Sequence, residues 1–556
     1  MFTFKKSILF LVAIFAVLLA GCQQNPKSPE RKKEDGRGCN SRVLRINIAS
    51  EPRTLDPARA RDLQSLTLMR MLFEGLTRVN QEENVEPALA EKIDVSEDLK
   101  TYTFHLRASF WSNGERVTAD DFVYTWKKIL DPKSVAENAS QLYVIKNALL
   151  CKEGKCPAED VGVRALDEMT FQVELENPTP YFLELTSYPA FFAISAKLDR
   201  ERPRWAEGKE DYIGNGPFTL KEWRHHDKLC VQKNERYWDS SAVQVQEIHL
   251  FMVKEESELA MFENGDLDWA GSPLSTLPID ALPKLRKTGA LRSQPILGTY
   301  FFRLNTENPL LASAKLRRAL SFSIDRQAIV EHVLLGSQMA AEGFVPSAMH
   351  LQEKSYFSTL SQEDLQALVN EGLQEAGLQK GDMANLELLY ASTERNHRIA
   401  HAIQEQWMRL FGVQIKLFGV EQKVFFEKLN KGDFQMAAGS WMADFGDAFA
   451  FLEVFKNREA TTNRTRWDDA TYTQMLEASN ITVDPVQRKT LLANCEKILL
   501  EAMPIIPLFH YNMLYVQNEN VKNISISRMG GIDFRWARFA QNDERSTNAK
   551  TEASQL

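Results

Sequence analysis

Apolar and polar positions along this chain repeat with two periods, and each period predicts an element. Arg45–Ile48 alternates polar and apolar, which predicts a strand leading into a turn at Glu51-Pro52. Tyr102–Leu106 alternates in the same way. Between Lys315 and Val333, Leu316, Leu320 and Ile324 recur at four-residue spacing and describe one buried face of a helix. Leu365, Leu368, Val369 and Leu373 do the same within Glu363–Ala376, and Gly377 stands where a C-terminal cap belongs. A third helix is predicted from about Arg395 to Phe411, stopped by Gly412, with Val413–Leu417 alternating as a strand behind it. Helix, glycine stop and strand in succession is the rhythm of an α/β layer. Trp111-Ser-Asn-Gly114 predicts a tight turn. Thr118, followed by Asp120 and Asp121, predicts the start of a helix. Trp111, Tyr124 and Trp126 are expected in the core.

The first residues carry a different pattern. Lys5 and Lys6 precede an apolar run from Ile8 to Leu18, closed by Leu19-Ala20-Gly21-Cys22. A run this short fits a secretory signal better than a membrane span. Leu-Ala-Gly-Cys resembles the bacterial lipobox, which implies removal of 1–22 as a lipoprotein signal peptide and acylation of Cys22. The next residues, 23–42, are rich in Lys, Arg, Pro and Gly and lack apolar periodicity, as a flexible tether would. A coil of this length reaches roughly 25 Å. The expected location is therefore the periplasmic or cell-surface side of a bacterial membrane, held there by lipid.

Composition narrows the function. The 556 residues are 44% hydrophobic and 26% charged, with a formal net charge of -8, and no long basic stripe follows the tether. A nucleic-acid partner is not expected. With Cys22 assigned to lipid, five of the six cysteines remain. Cys151 and Cys156 bracket a short loop and could pair in an oxidising compartment, while the state of Cys39, Cys230 and Cys495 stays open. The catalytic templates fail. The chain contains no P-loop, no Gly-x-Ser-x-Gly elbow and no His-Glu-x-x-His. His397 and His401 are four apart on a predicted helix but lack a carboxylate partner, and nothing places a sugar between Asp444 and Asp447. We expect no enzyme, no cofactor and no metal.

Longer strings carry more. Ala90–Arg107, Phe110–Trp126, Leu72-Phe-Glu-Gly-Leu76, Gly214-Asn-Gly-Pro-Phe218 with Trp223, Arg317-Arg-Ala-Leu with Asp325-Arg326, and Gly439-Ser-Trp-Met-Ala-Asp444 occur in this order. The set closely resembles the signature of the dipeptide and oligopeptide family of ABC-transporter solute-binding proteins, over about residues 43–540. The resemblance implies a bilobal α/β, periplasmic-binding-protein-like fold with a third, extra domain and a hinge between lobes. Lobe I would comprise 43–73, 203–297 and 512–545; the extra domain 74–202; lobe II 298–511; and 546–556 a disordered tail. It implies a short peptide ligand between the lobes, delivered by a monomer to permease subunits. Murein peptides or glutathione are alternative ligands, and an adhesive or chaperone-like surface role is a further one.

Residue by residue, Gly439, Ser440, Trp441, Met442, Ala443 and Asp444 match the segment that holds the peptide's N-terminal end in such proteins. Asp444 would pair with the α-ammonium group and Trp441 would supply an apolar wall. The sequence also departs from the pattern. Where well-known relatives carry a cysteine pair, Met442 and Gly298 stand. Basic positions for the peptide C-terminus are matched by Glu307, Leu429 and Ala438, a tryptophan pocket wall by Gln422, and a glutamate near the cleft by Arg61.

Overall fold

Strand Val43–Asn47 lies parallel to Glu247–Phe251, and Lys228–Lys233 and Phe218–Arg224 continue that sheet antiparallel. This is the first of three main sheets in a computed structural model that describes residues 43–540, apart from 137, 337, 359 and 461. Cys22, the signal segment, the tether and the tail 546–556 lie outside the described residues. Leu44, Ile46, Ile248 and Leu250 are fully buried, as the alternation in their strands requires. Helix Leu63–Leu72 follows, its first turn closed by Asp62, which accepts from the Ser65 amide at 3.0 Å.

The second sheet is antiparallel throughout, in the order Ala90–Val95, Thr101–Leu106, Thr170–Glu174, Val163–Asp167. Helix Ala119–Leu130 packs on it, entered through a capping box between Thr118 and Asp121. Gly114 takes φ 93° in the turn before it, a conformation that suits glycine. Trp111 and Trp126 are core residues, their indole N–H groups donating to Asp121 and to the Phe191 carbonyl. Tyr124 is only half-buried and donates to Asp199 at 2.6 Å.

The third sheet has seven strands, with main order Trp269–Gly271, Ile505–Gln517, Arg292–Leu304, Met436–Met442, Glu387–Ala391, Lys416–Val420. Arg292–Leu304 and Ile505–Gln517, thirteen residues each, run antiparallel through its middle. Their ladder breaks between Pro295 and Thr299. On one side of the break they pair with each other and with Trp269–Gly271; on the other they carry the strands at 436–442, 387–391 and 416–420.

Two expected elements differ. The helix expected over 315–333 is broken: Ala314–Phe322 ends at Ser323, and Asp325 accepts from the Ala328 amide to cap a new start. A capping carboxylate inside an apolar repeat opens a second terminus. The strand expected at Val413 begins at Lys416 instead, because Val413 and Ile415 enter the core that also holds Trp407 and Phe411 before any ladder forms. Helices Gln362–Ala376 and Glu394–Phe411 end at Gly377 and Gly412, with φ 65° and 67°. Cys151 and Cys156 are free thiols; Cys156 Sγ is directed at the Asn147 carbonyl, 3.6 Å away, so the bridge weighed for this pair is not formed here.

Candidate functional site

Strand Met436–Met442 is built unevenly. Its first residues are buried and paired on both sides, with Arg292–Leu304 on one edge and, at Met436 and Ala437, Glu387–Ala391 on the other. From Ala438 onward the second edge has no strand partner among the described residues. At the end of this half-open strand the chain enters a cavity of about 890 Å³. Its walls come from Arg61 and Leu66, from Asn138, Tyr181 and Tyr188, and from Met442, Ala443, Asp444 and Glu453. Ile296 and Asn512, beside the break in the long strands, close its floor.

Asp444 is exposed to this cavity, and neither its carboxyl nor that of Glu453 makes a hydrogen bond or ion pair among the described residues. The surrounding protein strips water from the Asp444 carboxyl and raises its pKa, with the charge of Arg61 opposing the rise. Burial pushes the Glu453 carboxyl up to about 7, reinforced by the negative charge of Asp444. Asp447 behaves otherwise. Its carboxylate accepts from both terminal nitrogens of Arg488, at 2.5 and 3.0 Å, and from the Phe449 amide at 2.8 Å.

Of the six residues matched to the ligand segment, the structure brings Met442, Ala443 and Asp444 to the cavity. Gly439, Ser440 and Trp441 do not line it. Strand alternation turns Trp441 away from Met442, and its indole donates to the Ala450 carbonyl at 2.8 Å, so it braces the segment rather than walling the cavity. Met442 and Gly298 face each other directly across the ladder, and a Cβ on Gly298 would collide with the Met442 sulfur. The methionine thus fills the space left by glycine.

At the three positions where basic groups are absent, Glu307 pairs with Arg458, and Leu429 and Ala438 are buried. A cation nevertheless lies beside Ala438. The Arg303 guanidinium occupies the space a side chain on Gly439 would take, 3.4 Å from the Ala438 carbonyl and 3.5 Å from that of Ser440. Burial brings its pKa down to about 9, helped by the like charge of Arg464. Gln422 is exposed at the first turn of helix Gln422–Lys431. His397 is engaged by hydroxyl groups of Tyr390 and Ser392, both at 2.9 Å.

Sequence reasoning missed Glu453, Arg303 and a cluster of Cys230, Glu247 and His249. Only Glu453 left a local signal, as the single carboxylate inside the apolar run Ala448–Phe455.

A pair of long strands whose ladder breaks beside a cavity belongs to a lobed, multi-domain α/β fold. The chain belongs to the bacterial extracellular solute-binding proteins, family 5, whose model matches residues 84–463. Members of this family bind solutes and are not enzymes. The chain is 38% identical to the oligopeptide-binding protein OppA of Bacillus subtilis over 96% of its own length and 99% of that protein. Among solved structures, it superposes with a TM-score of 0.81 on the unliganded open form of MppA, a periplasmic murein tripeptide binding protein. That match has 30% identity and covers 91% of this chain and 98% of the other. It also matches Haemophilus influenzae OppA in complex with the peptide RPPGFSPFR, with a TM-score of 0.70, 27% identity, and coverage of 90% and 99%. No helix among the described residues is long and apolar enough to cross a membrane.

Proposed function

We propose that this chain is a lipid-anchored extracytoplasmic protein that encloses short peptides between two lobes and delivers them to an ABC-transporter permease. The observation that carries the proposal is the pair of partnerless carboxyls, Asp444 and Glu453, in a cavity reached from a half-open strand edge. An α-ammonium group supplies the positive charge and N–H donors such carboxyls lack. A strand edge takes peptide backbone without reading side chains. The break between Pro295 and Thr299 supports a hinge at that point, and the likeness to an open, unliganded relative supports an open resting state. That relative also favours a second reading, a murein peptide. Native mass spectrometry of the protein purified without refolding separates the two by the mass of the co-purified ligand.

The test of the site uses unmodified and N-acetylated versions of one tetrapeptide. Asp444→Ala leaves the ammonium desolvated and unpaired, which costs about 2–5 kcal/mol of binding. That corresponds to a loss of ~30-fold to several thousandfold. Acetylation weakens wild-type binding and adds little further loss in Asp444→Ala, because both changes remove one interaction. Calorimetry on the four protein–ligand pairs reads this. Equal wild-type affinity for both peptides overturns the role of Asp444.

The anchor rests on Leu19-Ala-Gly-Cys22. Cys22→Ser abolishes incorporation of labelled palmitate and blocks maturation in cells. Undiminished labelling of that variant refutes the lipid site.

A further inference from the structure

One face of the four-stranded sheet gathers three side chains with metal-ligand chemistry. Cys230 and His249 are directly opposite each other on strands Lys228–Lys233 and Glu247–Phe251. Glu247 lies two residues before His249 and therefore projects from the same face. The Cys230 sulfur, a His249 ring nitrogen and a Glu247 carboxylate oxygen all lie within 4.8 Å of one another. Glu247 Oε2 is 3.1 Å from His249 Nε2 and 3.8 Å from Cys230 Sγ. The other carboxylate oxygen, Oε1, is held by Lys221. None of the three ligand residues lines the cavity that holds Asp444.

We propose that Cys230, Glu247 and His249 form a zinc site, binding through Sγ, Oε2 and Nε2 with a fourth position open to solvent. The donor set carries the choice of ion. One thiolate, one imidazole and one carboxylate suit a borderline-soft cation such as Zn²⁺ and disfavour Ca²⁺ and Mg²⁺, which take oxygen ligands. Tetrahedral zinc with Zn–S of ~2.3 Å and Zn–N of ~2.0 Å holds sulfur and nitrogen roughly 3.5 Å apart. His249 and Glu247 side chains are 25% and 27% exposed, so small rotations close the remaining gap and an ion can enter from solvent. Cys230 is 3% exposed and fixed in the ladder, so it is the rigid corner of the site.

A bound ion takes the Cys230 sulfur as thiolate, and its proton passes to solvent. Lys221 keeps its contact with Oε1 and serves as the outer partner that orients the carboxylate. A bound ion would also cross-link two neighbouring strands of this sheet, independently of any peptide.

The full chain is titrated with Co²⁺, whose thiolate complexes absorb in the near ultraviolet, and then with Zn²⁺ in competition. Wild type is expected to bind one equivalent with a thiolate band, to lose the band to Zn²⁺, and to release about one proton per ion in buffers of differing ionisation enthalpy. Cys151→Ser/Cys156→Ser should retain the band, and Cys230→Ser should lose it. His249→Gln, a change at the sheet surface that circular dichroism can check for folding, should weaken Zn²⁺ binding by more than the ~10-fold minimum for loss of an outer partner. Absence of the band in wild type, its persistence in Cys230→Ser, or equal Zn²⁺ affinity in His249→Gln and wild type overturns the site.

Discussion

Residues 442–444 and 445–452 are consecutive, yet the fold treats them in opposite ways. In the second stretch every polar group named above is matched. Phe445 stacks on Tyr181 with ring centroids 4.0 Å apart, Gly446 donates its amide to Glu184 at 2.6 Å, and Asp447 is clamped by Arg488. In the first stretch the Asp444 carboxyl has neither a hydrogen bond nor an ion pair among the described residues, and burial raises its pKa. The latched stretch fixes the backbone beside Asp444, and under the function proposed above it would hold that carboxyl in place for a ligand.

The sharpest way to break this contrast is to exchange the consequences of the two carboxylates. Asp447 and Arg488 side chains are only 19% and 12% exposed, so Asp447→Ala strands a largely buried guanidinium and removes a turn contact. A loss of about 3 kcal/mol of folding stability is expected. Asp444→Ala should change stability by no more than ~0.5 kcal/mol, since no partner is lost. Urea denaturation of both apo variants checks this. A larger destabilisation by Asp444→Ala than by Asp447→Ala would erase the distinction.

The fold was more legible in the sequence than the site. Gly377 and Gly412 as helix stops, the Thr118 start and the burial of Trp111 and Trp126 follow from local rules, because caps and alternation act over a few residues. The broken helix at Ser323 was obscured because an apolar repeat outweighed the cap at Asp325. At the cavity, the segment string drew attention to Asp444 and Trp441 together, but a position in that string does not reveal which face of the strand each side chain takes. Arg303 and the Cys230, Glu247 and His249 cluster left no trace. Their meaning depends on cross-strand register over separations of 17 to 135 residues, which no local pattern encodes.

Glu453 gives the smallest and most diagnostic test, because it joins the two stretches by charge alone. Its pKa of about 7 lies above that of an unfolded glutamate, so the folded apo protein holds the proton more tightly. Apo stability contributed by this group is therefore greatest at low pH and falls as pH rises from about 4.5 to 7. Ligand affinity should run the other way. A cationic ammonium near Asp444 favours ionised Glu453, so binding should weaken as pH drops through 7. The groups facing Glu453 are Asp444, Asp447 and Lys456; Asp447 is committed to Arg488, and Lys456 to Glu477. Between pH 7.5 and 6, a single carboxyl of this pKa that ionises fully in the complex costs roughly eightfold in affinity. Calorimetry with one free-amine peptide should show that slope in wild type and a much flatter one in Glu453→Gln. Matching slopes would mean that Glu453 does not sense the ligand's charge, and the ammonium would then be held by Asp444 alone.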